Sequence, residues 1–346
     1  MLHENPDWYP PFAAAFDAAG VEHEPWLLGD GVLDLDAEPP VGVFWSRMSA
    51  SAHTRGHVLA KDHGRAALAW LEAWGRRVVN GRRVLELEMS KADQLTALRA
   101  AGIEVPRTVA VVGRESLLEA ASRFATPFIV KHNQGGKGLG VRRFDSLDAL
   151  ELYVESAEYE EPVDGIVLVQ EYVQAAEPFI TRVEIVGGEF LYALTADTAR
   201  GGFELCPADA CAVDAKPASG SVIGVSDSAG DSSANESSAA DSPAADASFC
   251  VADEANAGLF ALREGFAHPV VAQYLDFART HGIEVAGFEF IETADGRAVT
   301  YDVNTNTNYN AQVDASAARG GPQQVAAFLG GLLDEVRATR SVQTAR

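Results

Sequence analysis

Apolar residues recur along this chain with two different periods, and each switch between them marks an element. Phe12 to Ala19 repeats at helical spacing and stops at Gly20, a residue suited to a left-handed cap. Val41 to Trp45 reads as a buried strand, Ala66 to Arg76 as an amphipathic helix and Arg77 to Val79 as another short strand, which is a βαβ pattern. The strand that should open such a unit is clipped, because only Met1 to Asn5 precede Pro6. Residues 1–88 are expected to form a small α/β domain.

Ser90 with Asp93 three positions on reads as a capping box, opening a helix that runs through Ala101 and closes at Gly102. Short strands and helices then alternate: Thr108 to Val112, Ser116 to Phe124, Phe128 to Lys131, a glycine-rich hairpin, Val141 to Phe144 and Leu147 to Glu155. Residues 89–174 make a second unit. After a strand near Ile166 to Val173, the third, residues 175–338, is expected to have strands near Phe179 to Val186, Phe190 to Thr195, Val285 to Ile291 and Val299 to Val303, with a helix over Val270 to His281. A mostly antiparallel sheet fits them. The stretch rich in Ala, Ser, Asp and Gly has no aromatic residue between Phe203 and Phe249, so residues 215–248 are expected to be a disordered insertion.

Composition narrows the partners. Fifty acidic residues against 27 basic ones give a net charge of −23, which repels nucleic acid and anionic membranes alike. No segment approaches the roughly 18 apolar residues of a membrane span, and the N-terminus has no leader pattern, so a cytoplasmic protein is expected. Only five of the basic residues are Lys, and a carboxylate-dense surface poor in Lys suits a salt-rich, halophilic cytosol. The three cysteines, Cys206, Cys211 and Cys250, form neither a disulfide framework nor a metal pattern.

Candidate chemistry begins at Pro127 to Val141, where Lys131 ends an apolar strand and a glycine-rich run follows. Glycines let backbone N–H groups close over phosphate oxygens, although an ordinary hairpin looks the same. Val167 to Val173 is an apolar strand with the polar and aromatic tip Gln170-Glu171-Tyr172. Glu289, Asp302 and Asn304 fall on two strands that can pair through Asp295-Gly296, which puts Glu289 beside Asp302. Two carboxylates and an amide oxygen are hard ligands suited to Mg²⁺ together with nucleotide phosphates. His53 and His57 sit four apart, but no third ligand accompanies them and Gly56 weakens a helix there, so the segment reads as a loop facing the cleft, with Arg55 meeting an anionic substrate, or, the weightier alternative, as a polar surface loop.

Taken in order, these motifs resemble the ATP-grasp superfamily across Lys91 to Asn308, and most closely RimK-type glutamate ligases and other carboxylate–amine ligases. The resemblance implies an α+β ATP-grasp fold, in which an N-terminal α/β domain precedes two α+β subdomains that clamp ATP. It implies ATP contacts from Lys91, Lys131, Gln134, Gly135, Gly136, Lys137 and Gly138, an adenine slot at Gln170, Glu171, Tyr172 and Val173, and Glu177 at the ribose. Glu289, Asp302 and Asn304 would hold Mg²⁺ or Mn²⁺, with Asp302 standing where relatives more often have Glu. Arg182 and Lys131 are the implied catalytic cations; Arg200 and Asn306 join Arg55 as substrate residues. Relatives continue past the metal Asn toward Pro-Gly, whereas this chain reads Thr305-Asn-Thr-Asn-Tyr-Asn310, a run of amides and hydroxyls suited to binding substrate. The expected reaction is ATP-dependent amide formation between a carboxylate and an amine, the acceptor being a small molecule, a peptide or a protein, in an enzyme whose relatives are often homodimers. A kinase or carboxylase on the same scaffold, or an ATP-binding regulator without turnover, are the rival readings.

Overall fold

A computed structural model of the chain describes residues 1–136, 140–201 and 258–344. The segment expected to be disordered, along with Lys137 and Gly138, lies outside the described residues. Three separate sheets carry the fold.

The first is parallel, in the order β2 (Trp26–Leu27), β1 (Leu2–His3), β3 (Val43–Arg47), β4 (Arg77–Val79). The strand read as clipped is thus present, two residues long and paired on both edges. Helix α1 (Pro10–Ala19) ends at Gly20, whose φ of 67° is the left-handed cap its position called for. Helix α2 covers Ala60–Ala73, starting earlier than the apolar periodicity alone suggested. Helix α3 (Arg82–Met89) is an element the sequence reading missed; its Val84, Leu85, Leu87 and Met89 are buried.

Helix α4 (Lys91–Ala100) starts at the Ser90 cap, whose Oγ accepts the Asp93 N–H. The second sheet is antiparallel, in the order β5 (Thr108–Val112), β8 (Ile166–Glu171), β6 (Phe128–His132), β7 (Arg142–Phe144). It is covered by α5 (Leu117–Ala121), shorter than the helix expected to reach Phe124, and by α6 (Leu147–Glu155). The third sheet joins β9 (Phe179–Val186), β10 (Glu189–Asp197), β11 (Phe260–Leu262), β12 (Val285–Glu292) and β13 (Ala298–Asn304) in the order β11-β10-β9-β12-β13. A short α7 (Thr198–Gly201) follows β10, and α8 (Val270–His281) lays Tyr274 flat on Phe288 at 4.5 Å between ring centres. Helices α9 (Ala311–Ser316) and α10 (Gly321–Thr344) end the described chain. Among the described residues no helix is long and apolar enough to cross a membrane.

Helix α4, grouped by its sequence with the second unit, shares its core with the third sheet: Leu95 and Leu98 pack with Val183, Phe288 and Val303. Gln94, buried between them, donates to Val303 O at 2.8 Å and accepts the Val303 N–H at 3.1 Å, so it acts as an extra ladder rung for β13. Asn80 fastens the first sheet to the same place. Its φ of 54° is left-handed, and its amide binds Val285 O, Thr305 O, Glu284 N and Val285 N from within the core. Replacing it strands buried backbone groups, each worth about 1 kcal/mol or more. Asn80→Ala is expected to cost about 2–4 kcal/mol in denaturant unfolding, and Asn80→Gly to regain only the backbone share, about 1 kcal/mol.

Candidate active site

The hairpin of β12 and β13 places Glu289 directly opposite Asp302, while β9 places Arg182 opposite Glu289. Side chains alternate faces along a strand, so residues two apart share one. One face therefore carries a row Arg182, Glu289, Asp302 and beside it a second row Glu184, Gly287, Asn304. Arg182 is fully buried; it donates to Glu184 Oε1 at 2.6 Å, to Glu289 Oε1 at 2.9 Å and to Thr307 Oγ1. Its guanidinium lies across the second row, where a Cβ on Gly287 would come within 2.4 Å of Nε. Only glycine leaves that space. Lys91 reaches over from the first turn of α4 to pair with Asp302, closing a row of alternating ends: cation, carboxylate, carboxylate, cation.

Electrostatics follow from that row. Burial pushes the Glu289 carboxyl above its ordinary range, despite Arg182 beside it. Asp302 is also pushed up by burial, but Lys91 in contact, with Lys131 and Arg182 nearby, brings it net below the ordinary value. Burial opposes the charge on Lys91, and Asp302 more than restores it, leaving the ammonium above its usual range. Lys131 has no such benefit: burial, with Lys91 adjacent, lowers it to about 7. The rows present two carboxylates and one amide, Glu289, Asp302 and Asn304, as hard oxygen donors. Glu289 accepts one hydrogen bond on each oxygen, from Arg182 and from Tyr301 at 2.8 Å, and Asn304 Oδ1 accepts one from Asn306 N, so lone pairs remain for a cation. Among the described residues no three His, Cys, Asp or Glu side chains converge into a cage. A divalent ion sharing its coordination with phosphates and water fits such a partial set.

These residues open onto a cavity of about 570 Å³ between the second and third sheets. Of the residues singled out from sequence, Lys91, Lys131, Gly135 and Gly136 line it beside Glu289, Asp302, Asn304 and Asn306. Gln170, Glu171, Tyr172, Val173 and Glu177 form its far wall. The Glu171 N–H is committed to Arg107 O and its carboxylate to Arg107 N, while Gln170 donates to Thr108 Oγ1.

Three expectations come out differently. Gln134 turns away from the cavity: it is 5% exposed, accepts from Lys61 Nζ at 3.1 Å and donates to Ala50 O, anchoring the glycine loop to the first sheet's unit. Arg182 lies under Glu289 with its guanidinium sealed from solvent, so it bears on the carboxylate instead of facing the cavity. Arg55 is taken by the buried Glu4, at 2.5 Å, and by Ser51 Oγ, because a fully buried carboxylate needs that partner. The side chain of Arg200, like Lys137 and Gly138, lies outside the described residues. His57 and His53 also separate, one bonded to Glu4 and the other to Ala50 O.

Sequence reasoning missed Glu88, Tyr301, Glu184 and Arg47. Glu88, at the end of α3, lines the cavity and accepts from both Thr305 N and Thr305 Oγ1; burial raises its carboxyl to about 7. Tyr301 reaches Glu289 because the register slips by one residue between Glu289 and Phe290. Glu184 had a signal, the i, i+2 spacing from Arg182 on one strand face. Arg47 had none, since its partners are some 260 residues away.

The contact at Gly287 gives a sharp test. Gly287→Ala is expected to lower stability by about 3–5 kcal/mol, as for loss of a buried ion pair, measured by denaturant unfolding. An unchanged midpoint would mean Arg182 can be housed elsewhere.

Residues 89–206 match the family model described as the RimK-like ATP-grasp domain. A curated relative, the alpha-aminoadipate–LysW ligase LysX of Sulfurisphaera tokodaii, is 29% identical over 131 residues, 37% of this chain; the match spans 46% of that relative, about half its length. A RimK domain ATP-grasp protein from Sphaerobacter thermophilus superposes with a TM-score of 0.61 at 17% identity, over 95% of this chain and 98% of its own. The ATP-grasp ligase PsnB, solved with a phosphomimetic variant of its minimal precursor, Mg and ADP, superposes with a TM-score of 0.54 at 15% identity, over 95% and 96% of the two chains. The chain thus has the fold of these ATP-grasp structures, and its residues 89–206 match the RimK-like ATP-grasp domain.

Proposed function

We propose that this chain is an ATP-dependent ligase that joins a carboxylate to an amine through an acyl phosphate. The observation that carries the reading is the Arg182–Glu289–Asp302–Lys91 row facing a cavity whose opposite wall is Gln170 to Val173. A nucleotide with its base at that wall directs its phosphates to the two lysines. Mg²⁺, which PsnB binds together with ADP, would be held by Glu289, Asp302 and Asn304 and would supply neutralising charge during phosphoryl transfer.

The residues of the chain then divide the work. Lys91 blocks Asp302 until phosphates arrive; a polyphosphate offers the ammonium a better partner and frees the carboxylate for the cation. Arg182 holds Glu289 in one orientation and offsets part of the effect of burial on its carboxyl, so it positions the ligand without meeting the phosphate. Gly135 and Gly136 supply backbone N–H groups at the cavity edge without Cβ obstruction. Transfer of the γ-phosphoryl to the substrate carboxylate makes a good leaving group, which the amine displaces with release of phosphate. No side-chain nucleophile is needed. The acidic surface leads us to propose a cytoplasm rich in salt as its setting.

Lys131 makes nucleotide binding pH-dependent. Burial brings its ammonium to about 7, and a polyanion beside it raises that value. Above pH 7 binding therefore takes up a proton; at pH 6 the group is already charged and uptake vanishes. Calorimetry in buffers of different ionisation enthalpy should show uptake at pH 8 that Lys131→Gln removes. Equal proton linkage in both proteins would exclude this role for Lys131.

Turnover is tested by ADP release from MgATP in molar KCl, with pooled amino acids and small carboxylates. Release that depends on a pool and falls at least about 100-fold in Asp302→Ala is expected. If no pool stimulates release while MgATP still protects against unfolding, the small-molecule ligase reading is wrong.

A further inference from the structure

Of the acids lining the cavity, Glu289 and Asp302 belong to the candidate metal set and Glu171 and Glu177 to the nucleotide wall, which leaves Glu88 free of either role. It stands at the end of α3, three residues before Lys91. Its Oε2 accepts the Thr305 N–H at 2.8 Å and the Thr305 hydroxyl at 2.7 Å, and its Oε1 makes no hydrogen bond among the described residues. The cations that bear on it are engaged elsewhere: Lys91 with Asp302, Arg47 with Thr307 O and Asn308 Oδ1. Holding Thr305 does not require a charge, since a glutamine oxygen accepts the same two bonds. A carboxylate without a bonded cation is costly at such a place, and burial raises this one to about 7.

Its position gives the carboxylate a use. Asp302 raises its proton affinity and Lys91 lowers it, so Glu88 stands at the end of the cavity where phosphates are expected, away from the wall formed by Gln170 to Val173. The two bonds on Oε2 occupy the lone pairs of that oxygen, so a proton taken up by the group goes to Oε1. An amine that reaches an acyl phosphate there arrives as an ammonium, because amino groups hold their proton to about pH 8 to 10. An ammonium has no lone pair with which to attack.

We propose that Glu88 is the catalytic residue that deprotonates the attacking amine, its Oε1 taking one proton from the ammonium beside the acyl phosphate. The proposal rests on the ligase reading and adds a residue to its second step. The freed nitrogen lone pair forms the C–N bond, and the acyl C–O bond breaks with its electron pair leaving on phosphate. The nitrogen gives a second proton to the departing phosphate. Glu88 returns the first to water, which restores the carboxylate for the next turnover.

The test offers the acyl phosphate two nucleophiles, with MgATP and the same pool of small carboxylates in molar KCl. Pooled amino acids supply ammonium groups; hydroxylamine is neutral near pH 8 and attacks without a base, leaving a hydroxamate that ferric ion colours. Glu88→Gln keeps an acceptor for Thr305, and so the fold. It should lower amine-driven ADP release by at least about 100-fold while hydroxamate formation stays within about threefold of the unaltered protein. A second measurement needs no variant. The ratio of amine-driven to hydroxylamine-driven kcat should rise with pH through about 7 and then level off, and Lys131, which serves both nucleophiles alike, cancels from it. Equal losses with both nucleophiles, no loss with amines, or a ratio that climbs about tenfold per pH unit to pH 9 would overturn the proposal while leaving a working ligase. If no amine stimulates ADP release from the unaltered protein, the ligase reading itself fails and this inference goes with it.

Discussion

Everything in the site hangs on a buried guanidinium that lies over a glycine. Arg182 can reach both Glu184 and Glu289 because Gly287 leaves a gap in the sheet face, and Thr307 closes the remaining side. Two carboxylates in a dry interior would otherwise repel each other or take up protons. The arginine lies between them as a shared counter-charge, and a third carboxylate, Asp302, is added at the solvent side against Lys91. Cross-strand registry thereby converts a linear spacing of acids into an ordered field of charge, graded from sealed interior to open cavity.

Much of this was legible in the sequence, and the legible part is local. The pairing of Glu289 with Asp302 follows from two alternating strands and a turn at Asp295-Gly296, which needs only short-range physics. The spans of Phe179–Val186, Val270–His281 and Leu147–Glu155 follow equally from period and caps. Helix α3 was missed because its eight residues include four charged ones and it follows a strand without a polar cap side chain at Gly81. Gln134 was misjudged because a glycine-rich loop announces phosphate chemistry for all its members, whereas docking on Lys61 and Ala50 depends on a unit far back in the chain. Arg47 and Glu88 were invisible for the same reason: each acts on residues 305–308, and nothing in their own neighbourhoods carries that information.

The first sheet contributes to the cavity more than its size suggests. Glu4, with no exposed surface, gathers Arg55 and His57 and so fixes the turn that carries Ser49 and Ser51 to the cavity edge. From the other side Asn80 and Arg47 grip the segment after β13. That segment, Thr305 to Asn308, is thus held by side chains from distant parts of the chain instead of by a turn of its own. Its irregular backbone has its carbonyl and N–H groups taken by side chains from elsewhere in the fold.

Asn133 gives the architecture a modular limit. Its side-chain oxygen accepts the Ala92 N–H at 2.7 Å and a bond from Ser90, and its carbonyl accepts the Lys91 N–H, so the helix bearing Lys91 is finished by the residue that follows the strand bearing Lys131. The two lysines are therefore spaced by a shared cap, not by separate scaffolds. Any chimera that exchanges the glycine-loop segment with that of a relative must carry the start of α4 along with it. Otherwise both cations lose their registration at once, even where every residue touching the nucleotide has been kept.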